Sequence, residues 1–267
     1  MSRLAGKVAV VVGGGQSPGE SIGNGRATVI RFIQEGASVL AVDRDLASAQ
    51  ESIEAAGGSD GSAFAADVQD EASIKGAVDA AMSRWGRIDI LHYNVGVSIA
   101  GGDSQLDGVT VDGFDRVMAI NLRGAVLAAK HVEPIMRAQR SGVVLNVSSM
   151  TAIETYTPLV AYKASKAGLV AFTQQLAVRN AEFGIRANCI LPGRMETAMA
   201  VDTRVRVSGR SREDILAERR SLIPLHGHVP TGWDVAHAAV FLASDEAGFI
   251  TGASLPVDGG SLARIGF

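Results

Sequence analysis

Val8-Ala9-Val10-Val11-Val12-Gly13-Gly14-Gly15-Gln16-Ser17-Pro18-Gly19-Glu20-Ser21-Ile22-Gly23-Asn24-Gly25-Arg26 passes from an unbroken apolar run, through a glycine-rich turn, into a segment of helical composition. The run is β-branched and does not alternate with polar residues, the pattern of a parallel strand buried on both faces. Similar short runs recur at 38–42, 88–93, 143–147, 186–191 and 253–257, with helix-like stretches at 27–34, 71–84, 114–138, 161–182 and 233–242 between them. Strand and helix in strict succession predict an α/β fold: one doubly wound parallel sheet of Rossmann type in three α-β-α layers. No repeat, low-complexity tract or linker divides the chain, so residues 1–267 are expected to form a single domain.

Composition narrows the function before any site is considered. With 47% hydrophobic residues, 20% charged residues and a net charge of -3, the chain is neither disorder-prone nor basic enough to favour nucleic acid. A single cysteine, Cys189, forms no internal disulfide and no thiolate metal site. His226 and His228 lie in a Pro-Leu-His-Gly-His-Val-Pro loop without an obvious third ligand, so no metal is expected. The apolar run at 8–12 is too short for a signal segment or a membrane span, which makes the cytoplasm the expected location and a membrane an unexpected partner.

The turn at 13–25 suits a phosphate. Glycines admit close backbone approach, and the helix that follows offers free N–H groups and the positive end of its dipole. Asp43 closes the second strand twenty residues after Gly23, where a carboxylate can accept both adenosine ribose hydroxyls and repel a 2′-phosphate. NAD is therefore expected rather than NADP. The competing readings are that Asp43 or Asp45 caps the next helix and that Arg44 holds a 2′-phosphate.

Tyr162 and Lys166 stand four apart in Tyr-Lys-Ala-Ser-Lys and project from one helix face. An ammonium beside a phenol is expected to lower the tyrosine pKa toward working pH, as a general acid/base requires. Ser149, just past the strand at 143–147, can donate to the oxygen that shares the tyrosine proton.

With these residues in place, nearly the whole chain, from Lys7 to Gly260, resembles the roughly 250-residue group of the short-chain dehydrogenase/reductase family. The resemblance implies catalytic roles for Ser149, Tyr162 and Lys166, and for Asn121 in Asn-Leu-Arg-Gly, which would position a water in the proton relay from Lys166. It implies dinucleotide contacts from Gly14, Ser21, Ile22 and Gly23 in the glycine turn and from Asp67 and Val68 around adenine. Asn94 and Gly96 would line the cofactor, and Pro192, Gly193, Met195 and Thr197 would clasp the carboxamide. Leu255-Pro256-Val257-Asp258-Gly259-Gly260 resembles the family's C-terminal signature. Three positions depart from the pattern: the glycine turn is lengthened and carries Ser21 where a second glycine is usual, Tyr93 replaces an asparagine, and Met195 replaces a small aliphatic residue. Neither Tyr93 nor Met195 is expected to touch the proton-transfer residues.

The implied activity is hydride transfer between NAD(H) and a secondary alcohol or ketone. Two other readings stay open. An enoyl-thioester reductase shares a lengthened glycine turn ending in Ser-Ile, but such enzymes are known for six residues between tyrosine and lysine where this chain has three. A catalytically silent NAD-binding regulator would be expected to have lost one of the four catalytic positions. Residues 194–230 read as an insertion over the site, rich in arginine (Arg204, Arg206, Arg210, Arg212, Arg219, Arg220) but nearly balanced by Glu196, Asp202, Glu213, Asp214 and Glu218. With pocket walls expected from 98–100, 150–156, the insertion and the tail at 265–267, a neutral and possibly cyclic substrate leads. A carboxylate held by the arginines is the alternative. Family resemblance also implies a homo-oligomer, dimer or tetramer, through the helices at 114–138 and 161–182.

Overall fold

The computed structural model describes residues 2–57, 60–155 and 157–264. In chain order the elements are β1 (Val8–Val12), α1 (Asn24–Gln34), β2 (Ser38–Asp43), α2 (Leu46–Ala55), β3 (Gly61–Ala65), α3 (Glu71–Trp85), β4 (Ile90–Tyr93), α4 (Val111–Met118), α5 (Gly124–Gln139), β5 (Gly142–Val147), α6 (Val160–Asn180), β6 (Ile185–Pro192), α7 (Asp202–Ser208), α8 (Arg212–Ser221), α9 (Gly232–Ala243) and β7 (Ser254–Val257). The seven strands form one sheet in the order β3-β2-β1-β4-β5-β6-β7, and every pairing is parallel.

Two apolar clusters sit on opposite faces of that sheet. Phe32 and Val29 from α1, Ile53 from α2 and Val240 from α9 cover one face. Ile74 from α3, Met136 from α5 and Leu169 from α6 cover the other. The central strands β1, β4 and β5 are buried along their whole length, which is why they read as unbroken apolar runs rather than alternating ones.

Two elements had no clear signal in the sequence. β3 is Gly-Ser-Ala-Phe-Ala at the sheet edge and half exposed, so it needs no apolar run. α2 is short and is nucleated by Asp45, whose carboxylate accepts from the Ser48 N–H. Asp45, not Asp43, is thus the helix cap. The helix expected over 114–138 is interrupted: α4 and α5 are joined by a π-helical turn at Ala119–Arg123. Tyr93, fully buried at the end of β4, donates its hydroxyl to the Ile120 carbonyl at 2.5 Å. Tyr93 therefore supports, through Ile120, the turn that carries Asn121. Single π-turns of this kind collect at functional sites. The insertion at 194–230 supplies α7 and α8, and α9 opens with the expected Thr231–Asp234 capping box.

Candidate active site

Strand register gathers the expected residues at one edge. Val12 pairs with Val42 and Tyr93, Tyr93 with Asn146, and Val147 with Ile190. Gly13, Asp43, Asn94, Ser149 and Pro192 all follow within two residues of those positions or close the strand itself, so they converge along the C-terminal edge of the sheet, where open α/β folds bind ligands.

The glycine turn is shaped for a close approach. Gly13 has φ +81°, and a side chain on Gly25 would collide with the Gly13 carbonyl oxygen, so the first turn of α1 lies directly on the loop. α1 has no side-chain cap and no acidic residue in its first turn, leaving its N–H groups and dipole directed at the loop. Gly23 donates to the Gln16 side chain at 2.8 Å, and Asn94 donates to the Gly13 carbonyl at 3.2 Å. Asp43 accepts from the N–H of Gly15 at 3.0 Å and of Asp45 at 3.2 Å, which orients its carboxylate toward the loop. These donors and acceptors fit a dinucleotide: an uncapped helix end for pyrophosphate and a fixed carboxylate for ribose hydroxyls.

The lengthened part of the turn touches the insertion instead of standing free. Arg212 of α8 donates to the Ser21 hydroxyl at 2.7 Å and pairs with Asp202 of α7 and, at 3.5 Å, with Glu20. Ser21 is thus held from the insertion side, and its hydroxyl is engaged by Arg212. Asp67 lies exposed beyond β3 and accepts from the Gln69 N–H, while Val68 beside it is buried. Past β6, Gly193 packs against Asp258 of the C-terminal signature, Met195 is buried, and Thr197 caps its own turn through the Ala200 N–H at 3.3 Å.

At the other side of this edge, Ser149 is 8% exposed and accepts from the Thr151 N–H at 3.2 Å. Tyr162 and Lys166 share a face of α6, with the Lys166 Nζ 5.7 Å from the tyrosine ring centre. Lys166 is almost fully buried, donates to the Val147 carbonyl at 2.9 Å and the Val95 carbonyl at 3.4 Å, and lies against Gly96. Burial lowers its pKa to about 8. The Tyr162 phenol is pushed up from its ordinary value by burial, with the Ser149 hydroxyl and the Arg204 guanidinium pulling it down. The expected lowering by Lys166 is thus not the dominant effect; burial is, and the opposing pull comes from Ser149 and Arg204.

Asn121 sits fully buried on the π-helical turn, where its carboxamide accepts from the Val97 N–H at 2.8 Å and donates to the Val97 carbonyl at 2.9 Å and the Ser165 hydroxyl at 3.0 Å. Its side chain therefore pins the loop after β4 to α6. Tyr156 and residues 265–267, expected as pocket walls, lie outside the described residues. His228 pairs with Asp234 at 2.7 Å, and among the described residues no cluster of three or more metal-ligating side chains occurs.

One positioning residue escaped sequence reasoning. α6 has no cap of its own at Leu159; Asp103, buried and 58 residues before Ala161, accepts from the N–H of Ala161 at 3.0 Å and of Tyr162 at 2.8 Å. No local pattern announces a cap supplied from so far away. Asp103→Ala is expected to lower stability by about 1 kcal/mol, the usual worth of a cap. It should lower kcat by about ten-fold with dinucleotide affinity unchanged, and Asp103→Asn, which keeps one acceptor oxygen, should recover part of the loss. Steady-state kinetics beside a dinucleotide titration checks this, and a matched fall in both would contradict it.

The geometry can be set beside known proteins. A family model described as enoyl-(acyl carrier protein) reductase matches residues 19–261. The chain is 33% identical to levodione reductase of Leifsonia aquatica over 98% of this chain and 96% of that protein. It is 34% identical to secoisolariciresinol dehydrogenase of Forsythia intermedia over 97% and 90%. In structure it superposes on levodione reductase with a TM-score of 0.90 at 32% identity, covering 98% of this chain and 100% of the other. A structure from Burkholderia xenovorans described as a short-chain dehydrogenase/reductase matches with a TM-score of 0.90 at 40% identity over 100% of both chains. With the family model matched from residue 19 to 261 and these relatives about one-third identical along nearly the whole chain, the chain belongs to the short-chain dehydrogenase/reductase family of oxidoreductases.

Proposed function

We propose that this protein interconverts a secondary alcohol and its ketone using NAD(H). The observation that carries the reading is the placement of the Tyr162 phenol close to the Ser149 hydroxyl and on the same helix face as the buried Lys166 ammonium. Bound at the glycine turn, a nicotinamide dinucleotide would supply or accept the hydride. Ser149 donates a hydrogen bond to the substrate oxygen, and Tyr162 gives that oxygen a proton during reduction or removes one during oxidation. Lys166, held by the Val95 and Val147 carbonyls, stabilises the phenolate and would reach the nicotinamide ribose. Because the Asn121 carboxamide is spent on Val97 and Ser165, a relay from Lys166 to solvent would use the Asn121 main-chain carbonyl and water. Gly14, Ile22 and Gly23 with the α1 N-terminus would hold the pyrophosphate, Val68 the adenine, and Pro192, Gly193, Met195 and Thr197 the carboxamide.

Asp43 supports NAD over NADP. Two backbone N–H groups fix its carboxylate at the end of β2, and a 2′-phosphate brought there would meet a like charge. In an alcohol and ketone panel assayed with both dinucleotides, kcat/KM is expected to favour NAD(H) by ten-fold or more, and Asp43→Ala should narrow that preference. Equal use of NADP(H) by the parent protein would refute the assignment. The description of the matching family model keeps enoyl-thioester reduction in view, but three residues between Tyr162 and Lys166, with Ser149 alongside, support carbonyl chemistry. The insertion at 194–230 acts as a cover over the site in this reading, within one catalytic domain. Exposed Val126 on α5 and Val178 on α6 support homo-oligomerisation through those helices, which sedimentation tests. No helix among the described residues is long and apolar enough to cross a membrane, and we take the protein to act in the cytoplasm.

A further inference from the structure

The acids that balance the insertion's charge in the sequence do not balance it in space. Glu196 is held by Arg220 at 2.5 and 2.9 Å, Glu218 by Arg210 at 2.6 Å, and Asp202 by Arg212. Glu213 and Asp214 are exposed on the first turn of α8, and Arg206 is exposed and hydrogen-bonded to Thr203. Arg204 and Arg219 are left half-buried, with no carboxylate within ion-pair distance among the described residues.

Arg204 lies toward the site, and Arg219 lies near Arg204. Arg204, on α7, donates to the Ala200 carbonyl at 2.5 Å and lies near enough to Tyr162 for the charges of the two groups to interact. Arg219, on α8, donates to the Met195 carbonyl at 3.0 Å from one end of its fork, and its buried Nε has no partner. Arg194 completes the group: it donates to Glu154 at 2.9 Å, and another of its nitrogens lies 3.5 Å from the sulfur of Met150, the residue after Ser149. Three guanidiniums therefore gather beside the Ser149–Tyr162 edge, with Glu154 paired to Arg194 and with Glu196 and Glu218, already held by Arg220 and Arg210, near enough to Arg219 to offset part of the repulsion. Burial lowers the pKa of Arg219 to about 10, with Arg204 and Arg194 lowering it further and Glu196 and Glu218 pulling it back up. Holding like charges together with an unfilled donor is unfavourable unless an anion joins them. A guanidinium fork is shaped for an oxyanion.

We infer that the substrate is an anionic ketone or secondary alcohol, its carboxylate or equivalent oxyanion seated on Arg204 and Arg219 while its reacting oxygen sits at Ser149 and Tyr162. This rests on the carbonyl-reductase reading above and narrows it, replacing the neutral substrate that the balanced sequence favoured. Reduction adds a hydride from the dinucleotide to the carbonyl carbon and a proton from Tyr162 to its oxygen; the oxyanion takes no part in bond making.

The test is steady-state reduction, with NADH, of oxo-carboxylates of graded chain length, the matching oxo-phosphonates, and the neutral methyl esters of the same acids. For at least one length, an acid or phosphonate is expected to exceed its ester ten-fold or more in kcat/KM, with an advantage that shrinks as salt is raised. Whichever of the two anions leads identifies the oxyanion. Arg219→Met should remove that advantage by lowering kcat/KM for the anion far more than for the ester, and Arg219→Lys should restore part of it; the ester activity that remains also reports that the variants are folded. Brisk reduction of the esters with no advantage for either anion overturns the inference alone. Absence of turnover in every series overturns the carbonyl-reductase reading and the inference with it.

Discussion

Tyr162→Phe is expected to lower turnover by about 10³-fold, within the range that a positioned general acid/base supplies, with dinucleotide affinity nearly intact. The phenyl ring keeps its place on α6 because the first turn of that helix is fixed by Asp103 through backbone N–H groups, which the substitution leaves alone. What is lost is the proton, and Ser149 cannot replace it: a serine hydroxyl ordinarily ionises too weakly, and its oxygen is already an acceptor for the Thr151 N–H. Lys166 cannot replace it either, since its Nζ is drawn to the Val147 carbonyl. Single-turnover and steady-state rates measured beside an NADH binding titration decide the matter, and a variant that turns over at the parent rate would remove Tyr162 from the chemistry.

His92→Leu should make the protein markedly more resistant to acid. His92 lies in the middle of the sheet on β4, paired with Val11 and Leu145, with its ring 5.9 Å edge-on from Phe32. It is fully buried, and neither ring nitrogen has a hydrogen-bond partner. Burial alone lowers its pKa to about 3, because a charged imidazolium there would lose its water without gaining a counterion. Below about pH 6.5 the unfolded chain takes up a proton at this position that the folded chain refuses. Stability therefore falls as pH falls, by about 1.4 kcal/mol per unit, until the folded value near 3 is reached. Between pH 7 and pH 4.5 the loss from this one group is about 2–3 kcal/mol. Leucine fills a similar volume and does not titrate, so the stability difference between variant and parent should widen by that amount over the same interval. At pH 7 the variant should already gain about 1 kcal/mol from removing an unsatisfied polar ring. Denaturant unfolding at several pH values measures both quantities; parallel curves would mean that His92 finds a proton partner in solution.

Read together, these sites divide along a physical line. The local signals were sufficient for the doubly wound sheet: apolar β-branched runs mark strands buried on both faces, and segments of helical composition between them mark the helices that bury them. Parallel pairing then places Gly13, Asp43, Asn94 and Ser149 at one edge, because each closes or follows the C-terminal end of its strand. Tyr162 and Lys166 were legible for a similar reason, since a spacing of four fixes two side chains on one helix face whatever surrounds them.

Quantities that depend on what packs against a residue could not be read this way. The π-helical turn at Asn121 depends on a tyrosine hydroxyl arriving from β4, and the cap of α6 on an aspartate arriving from the loop after it. The tyrosine pKa depends on desolvation, which a sequence does not display. Charge in the insertion is the clearest case: counting residues from 194 to 220 gives near neutrality, whereas in space Glu196, Asp202 and Glu218 are claimed by outer arginines and Arg204 and Arg219 are left without an ion pair among the described residues. Composition and periodicity are properties of the chain and determine the fold; pairing and burial are properties of distance, which only the folded chain defines.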